Sequence, residues 1–289
     1  MAKARVIVKR RKAVRNIRKI TQTMQLIATA RFQKCLQRAV ASQPYTQKLT
    51  GMLQSLAGQP GATHPLLEAG PSHGRCVVLA ITSNRGLCGA YNAAVLRRVV
   101  ERRDELVAAG FTPIMDVVGK KGIQYLRFLG VEIAARITDI EDRIAFERVS
   151  EMAEHYMLRY THQELARVEV VYMRFHSLGL QRPHSLQLLP IPPPAAAEPA
   201  RRIVTPFEFS PPPAELLARL VPQAVKTQLF QCFNDAIVSE QVARMVAMKA
   251  ATDAAGDMLK YLTRQYNRAR QSQITTELAD IVGGANAVQ

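Results

Sequence analysis

Two stretches at opposite ends of the chain carry apolar side chains at alternating steps of three and four residues, and few folds accommodate both. From Gln223 onward there is no proline, and only Gly256 interrupts before Gly283 and Gly284. Met245, Met248, Thr252, Ala255, Leu259, Leu262, Tyr266, Ala269, Gln273 and Thr276 fall on one line there, a heptad-type stripe sustained over three heptads or more. About 60 continuous residues make about 90 Å of helix at 1.5 Å per residue. The first stretch runs to about Ala57, with no Pro before Pro44 and no Gly before Gly51. Its stripe reads Ala13, Ile17, Ile20, Met24 and Ile27, and about 40 residues there make about 60 Å of helix. Two long helices with one apolar seam each bury those seams against each other, so an antiparallel coiled coil is expected. The 3.5-residue period predicts left-handed winding.

The seam is weak where Thr252, Ala255, Ala269, Gln273 and Thr276 replace the Leu or Ile of a stable isolated coil. Support from outside the chain is the expectation.

Between the ends, strands alternate with helices. Cys76 to Thr82 is a short apolar run closed by Ser83-Asn84-Arg85-Gly86. Tyr91 to Ala109 has helical periodicity and stops at Gly110, Pro113 to Val118 reads as a buried strand stopped by Gly119, Ile144 to Thr161 as a helix, and Arg167 to Phe175 as a strand. The alternation implies a parallel or mixed sheet with helices on its faces. Pro190 to Pro199 reads as a linker. The boundaries drawn are 1–57 for the N-terminal coiled-coil helix, 74–191 for the central α/β domain, 192–212 for the linker and 213–289 for the C-terminal helix.

The net charge of +16 is unevenly spread. Before Glu68 there is no acidic residue, against 13 Lys and Arg. Such a stretch fits an acidic partner, whether nucleic acid, anionic lipid or an acidic protein surface. An Arg-rich, acid-poor start also has the look of an organelle transit peptide, but this one is longer and more regular than targeting requires and is not Ser-rich. No apolar run approaches the roughly 20 residues that span a bilayer.

The chemistry of common active sites is missing from the text. Gly119-Lys120-Lys121 lacks the leading Gly and the following Ser or Thr of a phosphate loop, and no GxGxxG, HExxH or GxSxG occurs. Gly86 to Gly89 is a lone GxxG at a strand end, where α/β sheets often bind ligands, and a tight turn is the simpler account. Cys35, Cys76, Cys88 and Cys232 lie far apart without zinc-ligand spacing and read as free thiols. Cys88 near a helix start reads as a small buried residue, and His176 and His184 as surface or strand-end residues. No catalytic residue, cofactor or metal site is assigned.

Particular residues then point to a family. The run Arg18-Lys19-Ile20-Thr21-Gln22-Thr23-Met24-Gln25-Leu26-Ile27-Ala28 resembles the N-terminal helix signature of ATP synthase gamma subunits. Ser83-Asn84-Arg85-Gly86-Leu87-Cys88-Gly89-Ala90-Tyr91-Asn92 resembles their motif after the first strand, with Asn84 where Asp is usual. Ser239-Glu240-Gln241-Val242-Ala243-Arg244-Met245-Val246-Ala247-Met248, then Tyr266-Asn267-Arg268-Ala269-Arg270-Gln271-Ser272-Gln273-Ile274-Thr275, Glu277 and Ile281 to Ala285 complete the likeness along the whole chain.

The resemblance implies an α/β fold: a long antiparallel left-handed coiled coil of the terminal helices plus a central Rossmann-like α/β domain. It implies a non-catalytic rotor-shaft subunit of an F-type ATP synthase, coupling ion-driven rotation of a membrane ring to ATP synthesis or hydrolysis elsewhere. The implied partners are three catalytic and three non-catalytic head subunits, an epsilon-type stalk subunit and the ring of small subunits, with no nucleic acid and no membrane insertion. The implied place is the cytoplasmic side of a bacterial membrane, held peripherally; the absence of a targeting segment agrees. Carried over by motif, Arg270, Gln271 and Thr275 resemble positions that meet the catch loops of the catalytic subunits. Arg244 and Met24 resemble positions tied to coupling, and Glu277 joins them as a rotor–stator contact. Phe207, Glu208 and Ser210 fall at the ring-contact segment, with Ser210 where Glu is often found, and Thr23 stands where Lys is common. No cysteine-bearing insertion is present, so the thiol switch of chloroplast relatives is not implied. Two other readings of the residues are a basic coiled-coil nucleic-acid-binding protein, whose affinity would fall steeply with salt, and a small α/β enzyme with helical arms, which would need a catalytic cluster around Arg85 to Asn92.

Overall fold

The computed structural model describes residues 2–56, 63–68, 70–192 and 212–286. These fall into two compact units, Ala30–Ala243 and Met1–Thr29 with Arg244–Gln289. Two helices contribute to both units: α1 (Ala2–Leu56, 55 residues) and α5 (Pro213–Asn286, 74 residues). Proline at the first position of α5 suits a helix start, where its missing N–H has no partner to lose. Pro44 and Pro222 lie inside these helices, so each removes one ladder hydrogen bond.

The unit Ala30–Ala243 holds the sheet. Its strands are β1 (Gly74–Ile81), β2 (Phe111–Val118), β3 (Ala135–Ile137), β4 (Arg167–Ser177) and β5 (Leu180–Leu189). The helices between them are α2 (Tyr91–Ala108), α3 (Lys120–Phe128) and α4 (Phe146–Thr161). The sheet order is β3-β2-β1-β4-β5; the first four are parallel and β5 returns antiparallel to β4. The sheet is therefore mixed, as expected from the alternation. Cys76, Val78, Ala80, Met115 and Val117 pack with Val95, Val99, Ile123 and Leu126 of α2 and α3. Val77, Leu79, Val168 and Val170 pack with Val149, Met152 and Tyr156 of α4 and with Leu217, Val221 and Phe233 of α5. Burial on both faces is why β1 reads as a continuous apolar run rather than an alternating one.

Several elements run past or outside the expectations. β1 starts at Gly74, β2 at Phe111 and α4 at Phe146, while β4 extends to Ser177. The elements β3, α3 and β5 had no counterpart in the sequence reading. β3 has three residues, and α3 has nine with Gly122 inside. β5 is the edge strand, and its half-exposed LQRPHSLQLL alternates too little to announce itself. Gly122 is required by close approach: a Cβ there would lie 2.4 Å from Thr82 Oγ1. Gly119, at φ 95°, has backbone room for no Cβ at all, since Thr82 O would stand 2.3 Å away.

In the unit Met1–Thr29 with Arg244–Gln289, the two helix segments run antiparallel. Thr252 Oγ1 donates to Thr21 Oγ1 at 2.8 Å, and the Arg11 guanidinium stacks 5.0 Å from the Tyr266 ring centre. The C-terminal stripe faces inward as read: Met248, Ala255 and Leu262 are buried, and Met245, Thr252, Leu259, Tyr266, Ala269 and Gln273 half-buried, with Thr276 exposed. Of the N-terminal stripe, only Met24 turns inward, half-buried. Ile17, Ile20 and Ile27 are 52%, 54% and 47% exposed, and Ala13 is exposed too. Val14, Thr21, Gln25 and Ala28, one position further along than the stripe, face inward with Met24. One residue is about 100° around a helix, so α1 turns its isoleucines outward. The reason is steric: small Thr21 and Ala28 let the two backbones approach, with Thr21 and Thr252 supplying each other's polar contact.

Candidate interaction surface

The outward isoleucines leave α1 with a second apolar line, and α5 has one as well. Ile274, Leu278, Ile281 and Val282 are all at least half exposed, off the seam that ends near Gln273. Interleaved with them on α5 stand Arg270, Gln271, Thr275 and Glu277, all exposed. Thr275 Oγ1 donates to Gln271 O at 3.0 Å, as helical threonines do, and Gln273 Nε2 donates to Glu277 Oε1 at 2.8 Å. Four of the six positions carried over by motif thus share two turns of one helix, with polar and apolar side chains mixed. Met24 and Arg244 are half-buried on facing helix segments of the same unit and are apart from that cluster in sequence. Phe207, Glu208 and Ser210 lie outside the described residues. The apolar line Ile274, Leu278, Ile281 was missed in the sequence reading. Its signal was there, as steps of four and three displaced from the chosen stripe.

The motif after β1 does a different job. Ser83 N and Oγ and Asn92 Nδ2 and Oδ1 close on each other within 2.7–3.1 Å, and Ser83 Oγ donates to Arg85 O at 2.7 Å. Asn92 Nδ2 also reaches Cys88 Sγ at 3.2 Å, and Cys88 is buried. Asn84 accepts from Lys120 N at 3.1 Å and donates to Ile140 O at 2.7 Å and Thr138 O at 3.2 Å. Positive φ at Leu87 and Gly89 shapes the turn. The motif's polar atoms are spent on tying β1 to α2, α3 and the loop after β3.

That motif borders a groove of about 200 Å³ at the carboxyl ends of β1 and β2. This is where open α/β sheets take ligands. Here α5 lies across it, contributing Phe233, Ala236, Ile237 and Glu240. Tyr91 Oη donates to Ala236 O at 3.2 Å and Ser239 Oγ to Met173 O at 3.2 Å, fixing that helix segment to α2 and β4.

None of the four cysteines is in a disulfide, and all are buried. Burial pushes the Cys76 thiol up to about 12, and raises Cys35 and Cys232 as well, so these sulfurs are poor nucleophiles. His176 is exposed, and His184, half-buried on β5, stacks edge-on to Tyr172 with burial lowering its pKa. No group of three His, Cys, Asp or Glu among the described residues is arranged to hold a metal. No helix among them is long and apolar enough to cross a membrane.

Comparison with known proteins adds a family to this geometry. The family model described as ATP synthase matches residues 3–288. The chain is 44% identical over 295 residues to the ATP synthase gamma chain of Rhodopirellula baltica, covering 100% of both chains. It is 36% identical over 291 residues to that of Leptospira biflexa, again covering 100% of both. Among solved structures, a chain of the Euglena gracilis mitochondrial ATP synthase superposes with a TM-score of 0.70 at 18% identity, covering 99% of this chain and 95% of that one. A chain from the central stalk and c-ring structure of the Tetrahymena thermophila mitochondrial ATP synthase gives 0.58 at 20% identity, covering 80% and 99%. These two likenesses bear on the fold.

Proposed function

The chain belongs to the ATP synthase gamma chain family, and from that premise we propose that it is the central rotor shaft of an F-type ATP synthase. In this reading it carries no ATP chemistry of its own. Three catalytic and three non-catalytic head subunits surround the coil, an epsilon-type subunit sits beside it in the stalk, and a membrane ring of small subunits drives it. It is held at the cytoplasmic face of a bacterial membrane by those partners.

The observation that carries the reading is the coil itself. Its seam is narrow and partly polar, while both helices turn a second apolar line outward. A surrounding sleeve would bury those lines and support the seam. Arg270 and Arg244 offer planar, permanently charged donors to acidic loops. Gln271, Thr275 and Glu277 add exposed hydrogen-bonding groups beside Ile274 and Leu278. Exposed pairs are worth under about 1 kcal/mol each, and weak contacts suit a shaft that makes and breaks them in every turn. The basic face of α1 would meet acidic segments of the catalytic subunits in the same way. Met24 contributes packing next to the seam, and Phe207, Glu208 and Ser210 are assigned to the ring.

The test is co-purification. The tagged chain, isolated at moderate salt, is expected to bring down a large complex that hydrolyses ATP. Arg270→Ala with Gln271→Ala should change that rate by roughly threefold to tenfold, the factor that about 0.7–1.4 kcal/mol produces. A lone chain laden with nucleic acid, released steeply by salt, would overturn the reading in favour of a basic nucleic-acid-binding coil.

A further inference from the structure

The loop between β3 and α4 makes a contact that sheet packing alone does not require. Its Asp142 carboxylate takes hydrogen bonds from two helices at once. Arg31 Nη1 of α1 donates to Oδ2, and Gln241 Nε2 of α5 donates to Oδ1 at 2.8 Å. Cys35 Sγ, one turn along α1, donates to the Asp142 carbonyl at 3.6 Å. The loop is itself anchored: Asn84, at the end of β1, holds Thr138 O and Ile140 O. Asn84 thus holds the loop to the end of β1, and Asp142, two residues beyond Ile140, joins the same loop to both helices. Gln241 is fully buried, so its amide has been withdrawn from water to make this contact.

Around it α1 and α5 meet through Phe32, Cys35, Ala39, Val238 and Val242. Apolar packing holds helices together but is non-directional, and small seam residues leave little to resist one helix turning or sliding on the other. Charge-assisted hydrogen bonds to a shared carboxylate are directional. We propose that Asp142 is a positioning residue of the rotor: it fixes the angular register of α1 and α5 against the sheet, so that torque passes between them without slip. The proposal rests on the rotor reading above. Asp142 touches no nucleotide in this account and acts only through the helices it clasps.

Membrane vesicles carrying the complete complex separate coupling from catalysis. The measurement is ion uptake per ATP hydrolysed. In Asp142→Ala that ratio falls about threefold, the size of effect a lost coupling contact produces, while hydrolysis stays within about twofold. Asp142→Glu, which keeps a carboxylate for both donors, retains a ratio within about twofold of the starting protein. If the Ala variant does not assemble, Gln241→Leu carries the test: it fills the same buried space without the amide donor to Asp142, and the ratio falls about twofold. An unchanged ratio in Asp142→Ala, or in Gln241→Leu, overturns the clasp while the rotor reading stands. A wild-type chain that brings no ATP-hydrolysing complex with it overturns both.

Discussion

The sheet unit and the coil unit are stabilised in opposite ways. In Ala30–Ala243, both faces of the sheet are sealed and even a charge is taken inside. Glu169 on β4 is 1% exposed and is gripped by Arg102 through two hydrogen bonds of 2.6 and 2.8 Å, with Arg167 at 3.3 Å. In Met1–Thr29 with Arg244–Gln289, the residues described as buried are Thr21, Ala28, Met248, Ala255 and Leu262. Two of those five are alanine and one is threonine, so little area leaves water per residue. The sheet unit has paid for its own fold in buried area, and single changes there should be felt. The coil unit has a seam that specifies direction and register without supplying much stability, and it should tolerate change.

The strongest way to break that contrast is at Glu169. Arg102→Leu leaves the buried carboxylate with Arg167 alone, at 3.3 Å, and should destabilise the chain by about 3 kcal/mol in urea unfolding. Adding Glu169→Leu should recover most of it, because an absent pair costs less than a broken one. If Arg102→Leu is tolerated, the sheet unit is not the sensitive partner.

A smaller effect concerns Asp235, buried on α5 with Gln231 Nε2 donating to it at 2.9 Å. Burial pushes this carboxyl up to about 6 from an ordinary 3.8, against the opposing pull of Gln231 and Arg174. A carboxyl raised in the folded state favours folding below its unfolded value and loses that contribution as pH rises through the folded value. Stability should therefore fall between about pH 4 and pH 6 on this account, and Asp235→Asn should flatten the fall and add about 1–2 kcal/mol at pH 7. A pH profile left unaltered by the substitution would exclude Asp235 as its source.

The smallest effect is in the coil. A Cβ at Gly256 would meet only Arg18 Nε at 3.9 Å, an ordinary contact. Gly256→Ala should raise stability by about 0.5–1 kcal/mol, from helix propensity and a less free unfolded chain. A loss on circular-dichroism melting would mean that the coil is packed more tightly than its seam suggests.

How legible each region was follows from the same contrast. Sealed strands such as Cys76 to Thr82 and Arg167 to Phe175 announced themselves, because burial on both faces leaves a run that few other elements produce. Edge strand β5 and the short β3 and α3 did not, since half-exposed or brief elements need no such run. The α5 stripe was read in the right phase: Met248, Ala255 and Leu262 recur at steps of seven and are its buried members. On α1 the larger apolar side chains lie outside, so a rule that seeks the heaviest line chose Ile17, Ile20 and Ile27 over Thr21 and Ala28. Close helix approach favours small residues, and size-weighted patterning cannot see that. The candidate contact residues came from motif likeness alone; periodicity offered no reason to prefer Arg270 over Arg268. The Asp142 clasp joins residues more than 90 positions apart in sequence and left no local pattern to read.

The segment of α5 that lies across the strand ends at Phe233 and Ala236 can be regarded as a ligand that never dissociates. It lines the crevice where related topologies hold a diffusible molecule, and its covalent tether makes that contact intramolecular. The contact is therefore present from the moment the chain folds, at every concentration of the protein. A fold class catalogued by what it binds is here permanently bound to its own chain.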